Sequence, residues 1–418
     1  MRLANTSDPI SNHVPAPSRA IANWAGWLNV VVAAVIMLAT LPGRTQGLGL
    51  ITEPMLRDLQ LDRVTYASIN LWATLLGAAI CLPIGRMFDR IGLRNATVAL
   101  TMLLGIVVWT MSALAGGALA LFALVLATRA LGQSALSVAS ITAVAKSFNR
   151  RVGLAMAVYS VLLTMFFAAA FTAVGTSVRV DGWRVGWRQV AIALFVCAPI
   201  VLLLRERAMA SQDDDPTDTS DSFSLADALR TPAFWVFGGA TSLFGLVSSG
   251  LGLFNEAVLA ERGFDQQTYV RFLAGTSIVG LVGQLVCGWL TLHWPMQRLL
   301  AIAMFIYAGA LASLPLLTNA TELWLFAVLI GLSGGMITVI FFAVWRRAFG
   351  PVHLGRIQGA AQMLTVLASA IGPLIFAQSA SWTGSYFPAL WTLAPCVLAF
   401  SIAASRVRLP EHQMAVRG

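Results

Sequence analysis

The feature that most constrains this chain is an alternation of long apolar runs with short polar, Gly/Pro or charged breaks. Twelve such runs begin near residues 27, 66, 95, 119, 153, 187, 232, 269, 297, 322, 356 and 386. Each is close to the length of about 20 residues that a helix needs to cross the hydrocarbon of a bilayer. A backbone in lipid has no water to bond to, so runs of this length must satisfy their N–H and C=O groups internally, as helices. Only 11% of the 418 residues are charged and 58% are apolar, too few charges to cover a soluble protein of this size. The chain reads as an all-α integral membrane protein with twelve transmembrane helices.

The net charge of +9 would suggest a nucleic-acid partner in a soluble chain. Here 26 of the 27 basic residues are arginine, and most fall between the runs, where basic residues set orientation instead. With the N-terminus cytoplasmic, 18 basic residues lie on the inner side and seven on the outer, while Arg44 and Arg129 stay within spans. The expectation is a multi-pass protein of the cytoplasmic membrane with both termini inside, in contact with lipid and with no nucleic acid. Residues 1–23 are polar and lack a cleavable signal pattern, so the first span is expected to remain as an anchor. Cys81, Cys197, Cys287 and Cys396 lie inside apolar runs at spacings that suit neither a metal nor a disulfide framework, and read as packing residues.

Residues 205–231 carry Asp213-Asp214-Asp215-Pro216 in a polar tract that reads as a flexible cytoplasmic linker. It divides the spans into halves at residues 24–204 and 232–405, followed by a tail at 406–418. The halves superpose in sequence. An offset of 203 residues lays Gly47-Leu48-Gly49-Leu50-Ile51-Thr52-Glu53 on Gly250-Leu251-Gly252-Leu253-Phe254-Asn255-Glu256. Without a gap the match continues through Leu56 on Leu259, Asp62 on Asp265, Thr65 on Thr268, Tyr66 on Tyr269 and Gly77 on Gly280. Six spans repeated in the same sense form a parallel repeat.

Between the second and third runs stands Gly85-Arg86-Met87-Phe88-Asp89-Arg90-Ile91-Gly92-Leu93-Arg94. This turn resembles the signature loop of the major facilitator superfamily of transporters, and Gly85, Asp89, Arg90, Gly92 and Arg94 fill its pattern. The resemblance implies two pseudo-symmetric six-helix halves working by alternating access. It also implies that the loop carboxylate helps to close the inner face, with Lys146, Arg150 and Arg151 as its candidate partners. The second copy of the loop has Leu292 where Asp89 stands and His293 where Arg90 stands, so the latch is one-sided.

No enzyme signature is present, and His13, His293, His353 and His412 lie in tails or loops, so no catalytic, metal or cofactor site is expected. In the superfamily the first, fourth, seventh and tenth spans line the cavity, which makes Arg44, Gln46, Arg129, Gln133, Ser248, Asn255 and Phe342 the candidate substrate-binding residues. Arg44 is matched by the repeat to Val247, roughly 22 Å along its helix, and Arg129 lies about 15 Å into its span. An arginine at such depth costs several kcal/mol unless it is paired or faces water. Two of them suggest an anion site, and Pro42-Gly43 next to Arg44 can break the helix and free carbonyls for a ligand. Glu53, Glu256 and Glu322 stand at outer ends, so no mid-membrane carboxylate relay for protons is evident.

The runs Pro42–Gly47, Lys146–Arg151 with Gly153–Ala157, Gly182-Trp183-Arg184 and Ser369–Pro373 are similar to those of the monocarboxylate and oxalate-formate branch. A monomeric secondary transporter of a small organic anion is therefore the favoured expectation. Export of an amphipathic drug-like compound, or a transport-dead sensor on the same scaffold, remains open.

Overall fold

The computed structural model describes residues 19–80, 84–147, 152–205, 223–350 and 353–410, and every regular element among them is helical. Helix α1 (Arg19–Leu38) and α2 (Thr45–Leu59) form one interrupted span, joined through a 3-10 turn at Leu41–Gly43. Helices α3 (Arg63–Ile80), α4 (Ile84–Ile91) and α5 (Leu93–Ser112) follow. Then α6 (Ala118–Thr128) and α7 (Ser137–Ser147) make one span through a π segment at Arg129–Leu136. Helices α8 (Val152–Asp181) and α9 (Trp183–Val201) complete the first set. After the short α10 (Leu225–Arg230) come α11 (Pro232–Ala260), α12 (Gln266–Leu290), α13 (Met296–Ser313), α14 (Ala320–Phe349), α15 (Leu354–Thr383) and α16 (Phe387–Arg406).

Among the described residues ten helical segments are long and apolar enough to cross a membrane. The broken α1–α2 unit and α3 supply the other two of the twelve. Large apolar side chains lie bare along these helices, including Trp72, Ile106, Met165, Trp289, Phe305 and Trp382. Lipid tails solvate such side chains without cost, whereas water does not.

The repeat seen in the sequence is a repeat of local geometry. Asp62 caps α3 by accepting from Thr65 N at 2.9 Å, and Asp265 caps α12 by accepting from Thr268 N at 2.9 Å. Hydrogen bonds from these threonines hold both carboxyls below their usual range. The chain leaves α2 through Leu61 N to Leu56 O (3.1 Å) and leaves α11 through Phe264 N to Leu259 O (3.2 Å). Both exits need a left-handed residue, supplied by Gln60 (φ 53°) in the first copy and by Gly263 (φ 80°) in the second. Glycine adopts that conformation without the Cβ penalty that glutamine carries.

At the end bearing these two connections the halves meet. There α2 packs on α11, α8 on α12 and α3 on α15. Gly49 and Gly252, repeat mates, lie in contact at the α2–α11 crossing, where a Cβ on Gly49 would run into the Gly252 carbonyl. Gly175 of α8 is pressed against Val270 of α12. The molecule is thus closed at the end opposite the linker.

Two expectations change in detail. The stretch before Gly92 is a helix, α4, and the reversal falls on Gly92 itself, whose φ of 82° at the start of α5 accounts for the glycine there. Part of the tract read as a flexible linker is also ordered. Ser224 and Asp227 cap α10, with Asp227 N donating to Ser224 Oγ at 3.2 Å. Phe223 N bonds Phe349 O (3.2 Å) and its ring packs edge-on against that of Phe349, which docks the segment on the end of α14. Residues 206–222, with Asp213, lie outside the described residues. So do Cys81, Arg150, Arg151 and the side chains of Asp89 and Lys146, and with the last four the expected inner latch. The second copy of that turn is held otherwise, by Arg347 Nη1 donating to Thr291 O at 2.9 Å. Of the described cysteines, Cys287 is buried as a packing residue, Cys197 is half-buried and Cys396 is exposed; all three are free thiols.

Candidate functional site

Between the halves, beside the α2–α11 crossing, lies a cavity of about 480 Å³, a size suited to a small ligand. The first half contributes Arg44 and Gln46, at and just after the helix break, and Thr164, Phe167 and Phe171 of α8. The second half contributes Phe244, Ser248 and Asn255 of α11, Thr276, Ser277 and Gln284 of α12, and Phe326 and Thr338 of α14. Arg44 is the one charged side chain in this lining among the described residues.

The helix break explains how Arg44 gets there. Leu41–Gly43 tighten into a 3-10 turn, and Arg44 takes an extended backbone (φ −89°, ψ 150°) before α2 begins. Its side chain is anchored along one edge. Nε donates to Thr40 Oγ1 at 2.7 Å, Nη2 lies 2.8 Å from Met37 Sδ, and the guanidinium stacks over the Phe167 ring at 5.1 Å. None of these contacts uses Nη1. The ion pairs formed by described residues, Arg63–Glu53 and Arg184–Asp58, involve other arginines. Arg44 is thereby held in a fixed direction, cushioned by an aromatic face and without a carboxylate partner.

Arg129 is placed differently from the expectation. It is 2% exposed and does not line the cavity. Its Nη1 donates to Gly43 O (3.0 Å), Thr45 Oγ1 (3.1 Å) and Gln133 Oε1 (2.8 Å), and its Nη2 donates to Asn70 Oδ1 (2.9 Å). The carbonyl freed at Pro42-Gly43, read as available to a ligand, is therefore taken by Arg129. Gln133 is an acceptor for Arg129 and lies outside the cavity lining as well. The π turn brings these groups together: Gly132 sits against Gly43, and a Cβ on Gly43 would meet the Thr128 carbonyl and Gln133 N. A π segment widens one helical turn and commonly marks such an irregular contact. Phe342, the remaining departure, is not among the lining residues: it stands one turn beyond Thr338 on the same face of α14, 59% exposed and packed edge-on against Phe341. Of the expected binding residues the cavity thus assembles Arg44, Gln46, Ser248 and Asn255.

Sequence reasoning missed the α12 contribution and all of that of α8 but Phe167, which the amphipathic-compound reading places near the path; Gln284 and Phe171 are the chief omissions. Their signal was present only weakly, as polar or aromatic residues inside runs that apolar periodicity alone treats as packing. Ser248 is oriented within the second half by Tyr307 of α13, whose hydroxyl lies 3.2 Å from Ser248 Oγ. Phe272 and Phe326 stack at 5.5 Å and wall the cavity between α12 and α14.

Solved structures share this architecture. A bacterial homolog of the human lysosomal transporter Spinster, in an inward-facing and unoccupied conformation, superposes with a TM-score of 0.68 at 15% identity, covering 93% of this chain and 94% of that one. The nucleoside transporter NupG superposes with a TM-score of 0.70 at 12% identity, covering 91% and 98%. A point mutant of the same transporter gives 0.72 at 13% identity, covering 90% and 99%. At such identities the likeness is one of fold. No curated protein sequence matches the chain significantly. The sequence profile described as Major Facilitator Superfamily matches residues 32–373, most of the chain, and the helices, the parallel repeat and the cavity between halves agree with it. The chain belongs to the major facilitator superfamily, as a multi-pass secondary transporter and not an enzyme.

Proposed function

We propose that this transporter carries a small organic anion, with a monocarboxylate as the favoured class. The observation that carries the reading is Arg44: one fixed guanidinium faces the cavity, and no lining residue neutralises it. A charge held away from bulk water is stabilised by an anionic ligand, and a guanidinium edge matches a carboxylate in shape as well as sign. Phe167, Phe171, Phe244, Phe272 and Phe326 offer the rest of the ligand an apolar bed, while Gln46, Ser248, Asn255 and Gln284 offer it hydrogen bonds. Similarity to the monocarboxylate and oxalate-formate branch supports the same class. A nucleoside, named for one of the structural neighbours, is neutral and would leave Arg44 uncompensated. The second reading, an amphipathic compound held by the phenylalanines, makes the charge incidental.

Thermal stabilisation of the purified protein separates the two, because a ligand that binds only the folded state raises its apparent stability by mass action. An acid is expected to stabilise it, and the amide of the same acid is expected to give no shift at the same concentration. Equal shifts from acid and amide refute the anion reading.

The excess of basic residues on the linker side supports a cytoplasmic linker and cytoplasmic termini, with the chain working as a single copy in the cytoplasmic membrane. A fluorescent reporter active only in the cytoplasm, fused after Gly418, is expected to glow; activity of a periplasmic phosphatase at that site refutes this orientation.

A further inference from the structure

The break that aims Arg44 leaves a hollow beside it. Gly43 is drawn toward the π segment, where it lies against Gly132 and its carbonyl accepts from Arg129 Nη1 at 3.0 Å. Leu41 and Pro42 of the same turn instead floor a second cavity, of about 240 Å³, which no residue of the π segment lines. Its walls are Ala170, Ala173 and Val174 of α8 and Ala193, Leu194 and Cys197 of α9. The facing alanines are too short to fill the space between the two helices. Leu41 at the floor is 4% exposed, whereas Ala173, Gln189 and Ala193 at the rim are exposed. The crevice therefore opens outward, on the surface where Met165 of α8 and Ile192 and Val196 of α9 stand bare to lipid.

Water does not suit this space. Among the described residues Gln189 and Cys197 carry the only polar side-chain atoms of the lining, Pro42 has no N–H, and a buried water needs about two to four polar partners. An apolar cavity left empty costs stability that grows with its volume. Hydrocarbon is the filling that the surroundings provide. Along α9 from Trp183, at about 1.5 Å per residue, Gln189 lies roughly 9 Å and Cys197 roughly 21 Å into a layer about 30 Å thick. Lipid headgroups stay outside that layer, so only their chains reach this depth. Volume makes the same choice, since 240 Å³ falls below the range of about 300–1,000 Å³ typical of pockets for drug-sized compounds.

Through its floor and one wall the crevice adjoins the substrate site. Pro42 is two residues from Arg44. Phe167, whose ring lies 5.1 Å under the Arg44 guanidinium, is one turn before Ala170, so α8 separates the two cavities, with Phe167 and Phe171 lining one and Ala170 and Val174 the other. We propose that one acyl chain of a membrane phospholipid enters between α8 and α9, rests on Leu41 and Pro42, and braces the break that aims Arg44. The chain site stands by itself, and its effect on binding rests on the anion reading. A bound chain opposes any sag of the turn away from the cavity. Affinity for the acid therefore rises with occupancy of the crevice, and by linkage the acid tightens the chain.

A phospholipid with a photoactivated diazirine in one chain tests the site in liposomes of phosphatidylethanolamine and phosphatidylglycerol. Cross-links to Leu41 or Pro42, located by peptide mass spectrometry, are expected, because lipid at the protein surface does not reach a side chain as covered as Leu41. In the double variant Ala173→Leu/Ala193→Leu the added side chains occupy the crevice, and these cross-links are expected to disappear. Those to Phe305, exposed on α13, are expected to persist and report intact protein. Bracing is read in a steroid-based detergent, whose rigid body does not enter a crevice for a single chain. Added phospholipid is expected to tighten binding of the best-stabilising acid to the wild type by about fivefold or more. The double variant is expected not to respond, its leucines already standing in for the chain. No cross-link at the floor, or one that survives the leucines, overturns the chain site; an equal response of the two proteins to phospholipid overturns the bracing. The cross-link needs no acid, so a failure of the anion reading leaves the chain site decided on its own.

Discussion

Arg44→Gln is expected to weaken binding of the transported acid by about 10- to 100-fold and to stop measurable uptake, because a hydrogen bond to a charged group contributes about 1.5–3 kcal/mol and each 1.4 kcal/mol is about tenfold in affinity. The geometry makes the expectation specific. Thr40 and Met37 hold one edge of the guanidinium, Phe167 lies under its face, and Nη1 is the part left for a ligand. Glutamine keeps a donor but loses the charge and the fork. Arg44→Lys keeps the charge, yet an ammonium cannot bond Thr40 and grip a carboxylate edge together, so it is expected to retain folding and lose most of the affinity. Isothermal titration with the best-stabilising acid measures both variants. Wild-type affinity in Arg44→Gln would make this arginine a strut for the helix break and nothing more.

Arg129→Met has the opposite profile: a large loss of folded protein, with little change in the affinity of whatever folds. Arg129 is 2% exposed and joins three spans through Gly43 O and Thr45 of the first, Asn70 of α3 and Gln133 of its own helix. Methionine fills much of the space and spares the chain a buried charge, but it leaves the Gly43 carbonyl and the Asn70 side-chain oxygen unpaired in an apolar interior. Each orphaned group costs about 1–3 kcal/mol. Together they consume much of a stability that is typically about 5–15 kcal/mol. The monodisperse yield after extraction, and the thermal midpoint, are expected to fall, while the dissociation constant of the surviving protein stays within about threefold of wild type. A normal midpoint with lost binding would return Arg129 to the substrate site.

These two arginines also show where reading the sequence stops. Both stand inside apolar spans, and depth alone gave them the same role. What separates them is one helical break. At Arg44 the backbone leaves the helix and swings its side chain to the cavity; at Arg129 the π turn aims the side chain back at the carbonyl that the break exposed. Neither direction is encoded in local periodicity, because it depends on which neighbour offers an acceptor. Phe342 fell outside the cavity for a similar reason. Its helix α14 presents Gly334, Gly335 and Thr338 to the cavity, and Phe342, on the same face, stands one turn past the end of that lining.

The helices, the repeat and the presence of a reversal between Gly85 and Arg94 were legible because their causes are local or serial. Hydrocarbon thickness fixes the length of an apolar run, a missing Cβ permits a positive φ, and a duplicated sequence keeps its caps, as Asp62 and Asp265 do. The tertiary structure decided what lies across the interface between the halves. Glu53 and Glu256 are the same letter at equivalent places, and by themselves they say only that two acids stand near the outer ends of two helices. Packing α2 on α11 brings them together at one end of the molecule, where Glu53 takes Arg63 of α3 as its partner and Glu256 keeps a buried oxygen with none. Charge and burial act on a group through everything that surrounds it, and those surroundings exist only once the chain has folded.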